Sequence, residues 1–138
     1  MRLDLNNQPR PINIDHGMKN LYFDRKGEYV TEKLVSHPVT EAEFEVGKKI
    51  KLPTHEEHFY AVYRYEFTGS VKIDTNNQCH ICMLVEGKSI SVTANGNAST
   101  FHFAETFVVP AFTGNYEVIN NGGGTAFLVV AHVKDEHC

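Results

Sequence analysis

The sequence predicts an all-β domain that folds as a sandwich or barrel of eight or nine short strands. Apolar and aromatic side chains alternate with polar ones over residues 59–67, which is the period of a strand with one buried face. Asn95-Gly96 separates two strand-like segments, and this dipeptide is the strongest short-range signal for a two-residue hairpin turn. Turn residues recur between the other short apolar segments, with the spacing typical of sandwiches and barrels.

The first part of the chain differs from this β pattern. A helix is predicted from Asn13, which can cap it, with Asp15 in the first turn where the helix dipole favours a carboxylate. Residues 29–35 are predicted as a strand. The sequence therefore divides into a linker and helix extension at residues 1–36 and a β-domain at residues 37–138.

The β-domain is predicted from short segments rich in β-branched and aromatic residues. These segments cover residues 44–46, 50–52, 59–67 with its continuation at 71–73, 79–85, 89–94, 99–103, 106–109, 116–119 and 126–133. Residues 79–85 form an almost continuous apolar run, which is typical of a strand buried on both faces.

Composition and charge exclude several classes of protein. The chain has 138 residues, of which 41% are hydrophobic and 22% charged, which fits one globular domain and excludes disorder, collagen and a coiled coil. A net charge of −4 argues against a surface for nucleic acid or anionic membrane. No apolar run approaches the ~20 residues of a membrane span, and no signal peptide opens the chain, so we expect a cytoplasmic protein.

Two of the three cysteines form a C-x-x-C sequence at Cys79 and Cys82. In a strand, residues three apart point to opposite faces, so this pair is poorly placed for a disulfide or a shared zinc ion. No second C-x-x-C exists to complete a zinc site. We expect structural free thiols.

The segments at residues 84–87 and 107–111 resemble the two sequence motifs of cupins. The resemblance implies a double-stranded β-helix, or jelly-roll barrel, with a short N-terminal helical extension. Cupins usually hold a divalent metal through three His and one Glu inside the barrel. Here His80 stands at the Glu position, residues 74–77 contain no His, and the last His position falls at Asn115 or Tyr116. We therefore expect no metal at the usual place.

Residues 107–116 and 2–16 are similar to the C-terminal cupin of class I mannose-6-phosphate isomerases and to the segment that precedes it. That family interconverts mannose 6-phosphate and fructose 6-phosphate with a zinc ion bound in its N-terminal half, and this sequence contains no counterpart of those zinc ligands. The resemblance implies a chain that is inactive alone. Its expected partner is a catalytic half or a second copy of itself.

Five residues are candidates for the lining of the barrel interior: His80, Tyr116, Thr75, Asn77 and Asn120. They would form a neutral lining of hydrogen-bonding groups, which suits a sugar hydroxyl better than a phosphate. A packed barrel without ligand is the favoured interpretation. A small sugar- or metabolite-binding cupin without enzymatic activity is the alternative.

A metal-dependent cupin with unconventional ligands is a third class of function. His55 and His58 lie three residues apart in an acidic loop, whereas a zincin requires two His four apart on a helix. A solvated loop is the favoured interpretation. If a metal binds, these two with His80 or His102 are the candidate ligands.

Overall fold

The computed structural model describes residues 3–134 and divides the chain into two compact units, Met1–Val35 and Ser36–Cys138. The first unit contains a short helix, Ile14–Lys19 (α1), and a π-helical segment, Val30–Leu34. No residue of either segment is buried. Among the described residues, no helix is both long and apolar enough to cross a membrane.

Two local predictions for this unit are wrong. Asn13 occupies the cap position of α1, but its side chain makes no capping hydrogen bond. The strand predicted at residues 29–35 is the π-helical segment. Its β-branched residues favour a strand locally, but a strand must pair its backbone groups with a neighbour. Here the backbone bonds locally instead, because the Val35 N–H donates to the Val30 carbonyl at 3.0 Å and the Val30 N–H donates to the Gly27 carbonyl at 3.1 Å.

The second unit consists of ten strands in two antiparallel sheets. The strands are Val39–Phe44 (β1), Gly47–Leu52 (β2), Tyr60–Phe67 (β3), Ser70–Asp74 (β4), His80–Glu86 (β5), Ser89–Ala94 (β6), Asn97–His102 (β7), Thr106–Val109 (β8), Asn115–Asn120 (β9) and Ala126–Val133 (β10). One sheet has six strands in the order β1-β2-β3-β10-β5-β8, and the other has four in the order β4-β9-β6-β7.

The core lies between the inner faces of the two sheets. Its buried members are Phe67, Val71, Ile73, Cys82, Leu84, Ile90, Val92, Phe107, Val109, Tyr116, Val118, Ala126, Leu128 and Val130. The alternation predicted for residues 59–67 is confirmed, because Ala61 and Phe67 are buried on the inner face of β3. Burying a large apolar side chain contributes about 1.5–3 kcal/mol, so this cluster is the main stabilising feature of the fold.

Strand β5 is buried on one face, not on both as the sequence predicted. Cys82 and Leu84 are fully buried, whereas Ile81 between the inward positions is 54% exposed. The second sheet covers only the inner face of β5, so its apolar outer residues remain accessible. Cys79 is exposed and Cys82 buried, which confirms that the two thiols point in opposite directions.

The hairpin predicted at Asn95-Gly96 joins β6 to β7. Asn95 has φ 49° and Gly96 has φ 77°, and positive φ at both central residues is the signature of a type I′ turn. Glycine accepts this conformation without steric cost, which explains why the dipeptide fixes the register of these strands.

Candidate functional site

The core contains a buried histidine–tyrosine pair formed across the two sheets. His80 projects inward from β5 and Tyr116 from β9, and they are 4% and 2% exposed. The His80 Nδ1 and Tyr116 Oη atoms are 2.9 Å apart, and the rings meet edge to face. The sequence indicated that both residues point into the barrel, but they come from opposing sheets and not from neighbouring strands.

Burial keeps this pair uncharged. Burial, followed by the charge of neighbouring His132, lowers the pKa of His80 from 6.5 to about 4. Burial also raises the pKa of Tyr116 well above its usual value. Which of the two atoms donates depends on which imidazole nitrogen carries the proton. In either tautomer the His80 Nδ1 atom is already engaged with Tyr116 inside the core.

Cys82 adds a thiol to the same buried group. Its Sγ atom lies 3.9 Å from the Tyr116 Oη atom, and the residue is fully buried. Burial raises the pKa of the Cys82 thiol to about 12, although the hydrogen bond with Tyr116 opposes that shift. A protonated, buried thiol is a poor nucleophile and a poor metal ligand.

His132 belongs to this cluster and was missed from the sequence. It lies on β10, between β3 and β5, and its ring centroid is 5.4 Å from that of His80. The His132 ring also stacks on Tyr63 at 5.4 Å with an interplanar angle of 6°. The sequence pattern could have revealed it, because the alternation of β10 places His132 on the same face as Ala126, Leu128 and Val130.

A lysine continues this cluster toward solvent. The Lys49 Nζ atom lies 4.2 Å from the centroid of the Tyr63 ring, which is a cation–π contact. The same ammonium forms an ion pair with Glu41 on the neighbouring strand β1. The polar side chains therefore run from a charged pair at the rim, through Tyr63 and His132, to the buried His80.

Thr75 and Asn77 do not complete a lining with His80 and Tyr116. Thr75 is fully buried, but its hydroxyl donates to the Ala111 carbonyl at 2.7 Å and so holds a loop in place. Asn77 is exposed with φ 64°, in the turn between β4 and β5. The expectation that Asn77 lines the interior is corrected, because this turn directs it to solvent.

Asn120 also has a local structural role. Its Nδ2 donates to the Gly124 carbonyl at 2.6 Å, and its Oδ1 accepts from the Gly122 N–H at 2.8 Å. These bonds fix the glycine-rich loop that joins β9 to β10. The amide that was expected to face a ligand is used by the backbone of its own loop.

The four histidines considered as metal ligands do not converge. His55 and His58 are exposed in the loop before β3, with ring centroids 5.7 Å apart. His102 is exposed at the end of β7, where its backbone N–H donates to Glu105 at 2.7 Å. Within residues 3–134, no group of three or more His, Cys, Asp or Glu is placed to hold a metal ion. Thr75, His80 and Tyr116, which the resemblance to cupins places near the usual metal position, include a single imidazole and no carboxylate, so they do not form the three or four converging ligands that a metal requires.

Comparison with known proteins identifies the fold. The structure resembles mannose 6-phosphate isomerase from Bacillus subtilis, with a TM-score of 0.69 and 20% identity over 96% of this chain and 38% of the isomerase. It also resembles the cupin domain of Schizosaccharomyces pombe Cnp3, with a TM-score of 0.55 and 22% identity over 65% of this chain and 66% of that domain. A cupin-2 domain protein from Rhodospirillum rubrum gives a TM-score of 0.58 and 8% identity over 72% of this chain and 70% of that protein.

The fold is a cupin barrel. No protein-family model and no curated protein sequence matches the chain. The structural similarity confirms the all-β cupin architecture that the sequence predicted. Because the sequence identities are low, it shows the fold alone. The chain spans 66% of the Cnp3 domain and 38% of the isomerase.

Proposed function

We propose that this chain is a non-catalytic cupin module that supports a catalytic module in an enzyme of the mannose-6-phosphate isomerase type. The main support is the extent of the structural similarity. The alignment with the Bacillus isomerase covers 96% of the chain, which is more than the barrel unit alone. The alignments with the Cnp3 domain and the Rhodospirillum protein cover 65% and 72%. The likeness to the isomerase therefore includes the N-terminal segment.

The chemistry of the interior supports a non-catalytic role. Aldose–ketose isomerisation requires a group that polarises the carbonyl oxygen and a base that moves a proton between adjacent carbons. His80 is neutral and already bonded to Tyr116, and both Tyr116 and Cys82 keep their protons because they are buried. The lowered pKa makes His80 a weak base, and Tyr116 and Cys82 are protonated, so none of the three is suited to move that proton near neutral pH.

The exposed apolar side chains of the N-terminal segment indicate that an apolar surface of another module covers it. The following apolar side chains of residues 3–35 are exposed by 45% or more: Leu3, Leu5, Ile12, Ile14, Met18, Leu21, Tyr22, Phe23, Tyr29, Leu34 and Val35. Soluble proteins rarely expose so many large apolar groups in one segment unless another surface covers them. We assign this surface to the catalytic module.

An isomerase assay tests the catalytic part of the proposal. The purified chain is incubated with mannose 6-phosphate, with and without added zinc, and fructose 6-phosphate is measured. We expect the rate of buffer alone under both conditions. Zinc-dependent turnover well above that rate, lost in His80→Gln, would show that the barrel itself is catalytic and overturn the proposal.

Sedimentation velocity tests the assignment of the apolar surface. We expect a monomer, because the surface is assigned to a different module. A stable homodimer that dissociates in the Leu21→Glu/Phe23→Glu variant would assign the surface to a second copy of this chain. The matched control is Phe112→Glu, which changes an exposed aromatic residue of the barrel unit outside this surface.

A small-molecule-binding cupin is a second candidate function. It is favoured by an open cavity of about 430 Å³ beside Tyr63, a volume within the usual range for ligand sites. A saturable thermal shift with neutral sugars would support a neutral ligand. The charged side chains that line this cavity, Lys51, Glu56 and Lys134, favour a charged ligand instead.

A further inference from the structure

Two lysines face one cavity beside the barrel interior. Lys51 lies on β2 directly opposite Tyr63 of β3, and Lys134 follows the end of β10. Both line the cavity of about 430 Å³ together with Leu52, Pro53, Thr54, Glu56, Ala61, Val62 and Tyr63. The cavity thus combines two cations and one carboxylate with an apolar and aromatic wall, in a chain whose net charge is −4.

The hydrogen bonds of the lysines leave donors available. The Lys134 Nζ atom donates to the carbonyls of His55 and Glu56 at 3.1 and 3.4 Å, which uses two of the three donors of an ammonium. These bonds also hold the lysine at the cavity wall. No carboxylate within residues 3–134 forms an ion pair with Lys51 or Lys134.

The neighbouring Lys49 shows that a lysine on this face of β2 can hold a carboxylate beside Tyr63. Lys49 and Lys51 are two residues apart in the strand and therefore share a face. Lys49 is paired with the Glu41 carboxylate and rests on the Tyr63 ring. Lys51 lies opposite the same tyrosine without such a carboxylate among the described residues.

We propose that this cavity binds a small anionic metabolite, a phosphate ester or a carboxylate, whose oxygens are held by Lys51 and Lys134 and whose carbon skeleton packs on Tyr63. The walls of Ala61 and Val62 suit a short carbon chain, and Thr54 borders the same space. The proposal does not depend on the isomerase-type role, since an anion site could serve a supporting module or an independent binding protein.

Isothermal titration calorimetry on the full chain tests the site. The probes are inorganic phosphate, gluconate as a carboxylate bearing hydroxyls, and mannitol as a neutral analogue, all at constant ionic strength. We expect one saturable site for at least one of the two anions and no binding of mannitol. Phosphate binding alone would identify phosphate esters as the ligand class, and gluconate binding alone would identify carboxylates.

Matched lysine variants locate the site. Lys51→Gln is expected to weaken anion binding about tenfold, because it removes a charged donor. Lys48→Gln changes another lysine of β2, which lies on the opposite face of the strand and pairs with Glu66 at 3.3 Å, and is expected to leave the affinity unchanged. Circular dichroism and the melting temperature confirm that both variants fold.

Three results would overturn the proposal. The first is the absence of saturable binding for both anions. The second is equal weakening in Lys48→Gln and Lys51→Gln, which would indicate a general effect of net charge. The third is mannitol binding that survives in Lys51→Gln, which would restore the neutral sugar site. None of these results bears on the isomerase assay, so the two proposals fail separately.

Discussion

The two ends of the barrel interior differ in chemistry although the same strands build both. At one end Phe67, Leu84 and Leu128 are fully buried and purely apolar. At the other end, the first residues of β5 include His80 and Cys82, and the last residues of β10 include His132. Strand β5 therefore passes from the apolar end to the polar end in a few residues.

The difference shows how stability and chemistry are separated within one core. The apolar end stabilises the fold by burial alone, which tolerates changes of residue but not loss of volume. The polar end is stable only while its buried hydrogen bonds are complete, because an unpaired buried polar group is costly. Substitutions at the two ends should therefore fail in different ways.

Removing volume at the apolar end should have the largest effect. Phe67→Ala is expected to lower the free energy of unfolding by about 3–5 kcal/mol, because it leaves a cavity in a fully buried site. Urea denaturation measures the loss. Phe103→Ala removes the same ring from a site that is 59% exposed and should cost less than about 0.5 kcal/mol. Equal losses in the two variants would contradict the assignment of the core.

Acid should weaken the polar end through His80. The folded-state pKa of His80 is about 4, below the unfolded value of 6.5, so the unfolded chain binds the extra proton. The contribution of neutral His80 to the free energy of unfolding is complete above about pH 6.5. It is lost as the pH falls toward 4, by roughly 3 kcal/mol at most. Urea denaturation from pH 7 to pH 4 measures this dependence.

His80→Gln is the control for the acid dependence. The groups whose charges act on His80, which are His132, Asp74 and Lys49, remain in this variant. Other groups that titrate in this range contribute equally to both proteins, so the difference between the curves isolates His80. Identical curves for the wild-type chain and His80→Gln would show that His80 is not held neutral in the folded state.

Breaking the hydrogen bond of the buried pair should have an intermediate effect. Tyr116→Phe keeps the ring but leaves the His80 Nδ1 atom without its partner, and is expected to cost about 1–3 kcal/mol. Tyr60→Phe, at a site that is 37% exposed, is the matched control and should be nearly neutral. Thermal and urea denaturation both report the difference. A neutral Tyr116→Phe would mean that the bond contributes no net stability.

The smallest effect is expected at the rim of the polar end. Lys49→Met removes the ion pair with Glu41 and the contact with Tyr63, but both are partly exposed to water. Such exposed pairs contribute about 0–1 kcal/mol, so the stability should barely change. The salt dependence of stability measures the remaining contribution. A loss of several kcal/mol would place this lysine among the structural groups of the core.

The sequence predicted the strands well because their patterns are local. The alternation of residues 59–67 and the Asn95-Gly96 turn depend only on neighbouring residues, and residues 126–133 coincide with β10. The strand predicted at residues 29–35 failed because strand formation depends on a partner, which local propensity does not reveal.

The candidate site was predicted only in part for the same reason. His80 and Tyr116 were found because a resemblance to a known family places both residues at ligand positions. The contact of His132 with His80 depends on β10 pairing between β3 and β5, which is a non-local property. Asn77 was misplaced because the direction of a turn side chain depends on backbone angles that the alternation of a strand does not fix.

The most direct test of the account is a zinc titration followed by nitrogen NMR of the histidine rings. The central claim is that the buried His80 is held by its hydrogen bond with Tyr116 and is therefore not free to bind a metal. The account predicts that the ring signals of His80 and His132 do not move after one equivalent of zinc is added. A joint, saturating shift of both rings at one equivalent, absent in His80→Gln, would contradict it.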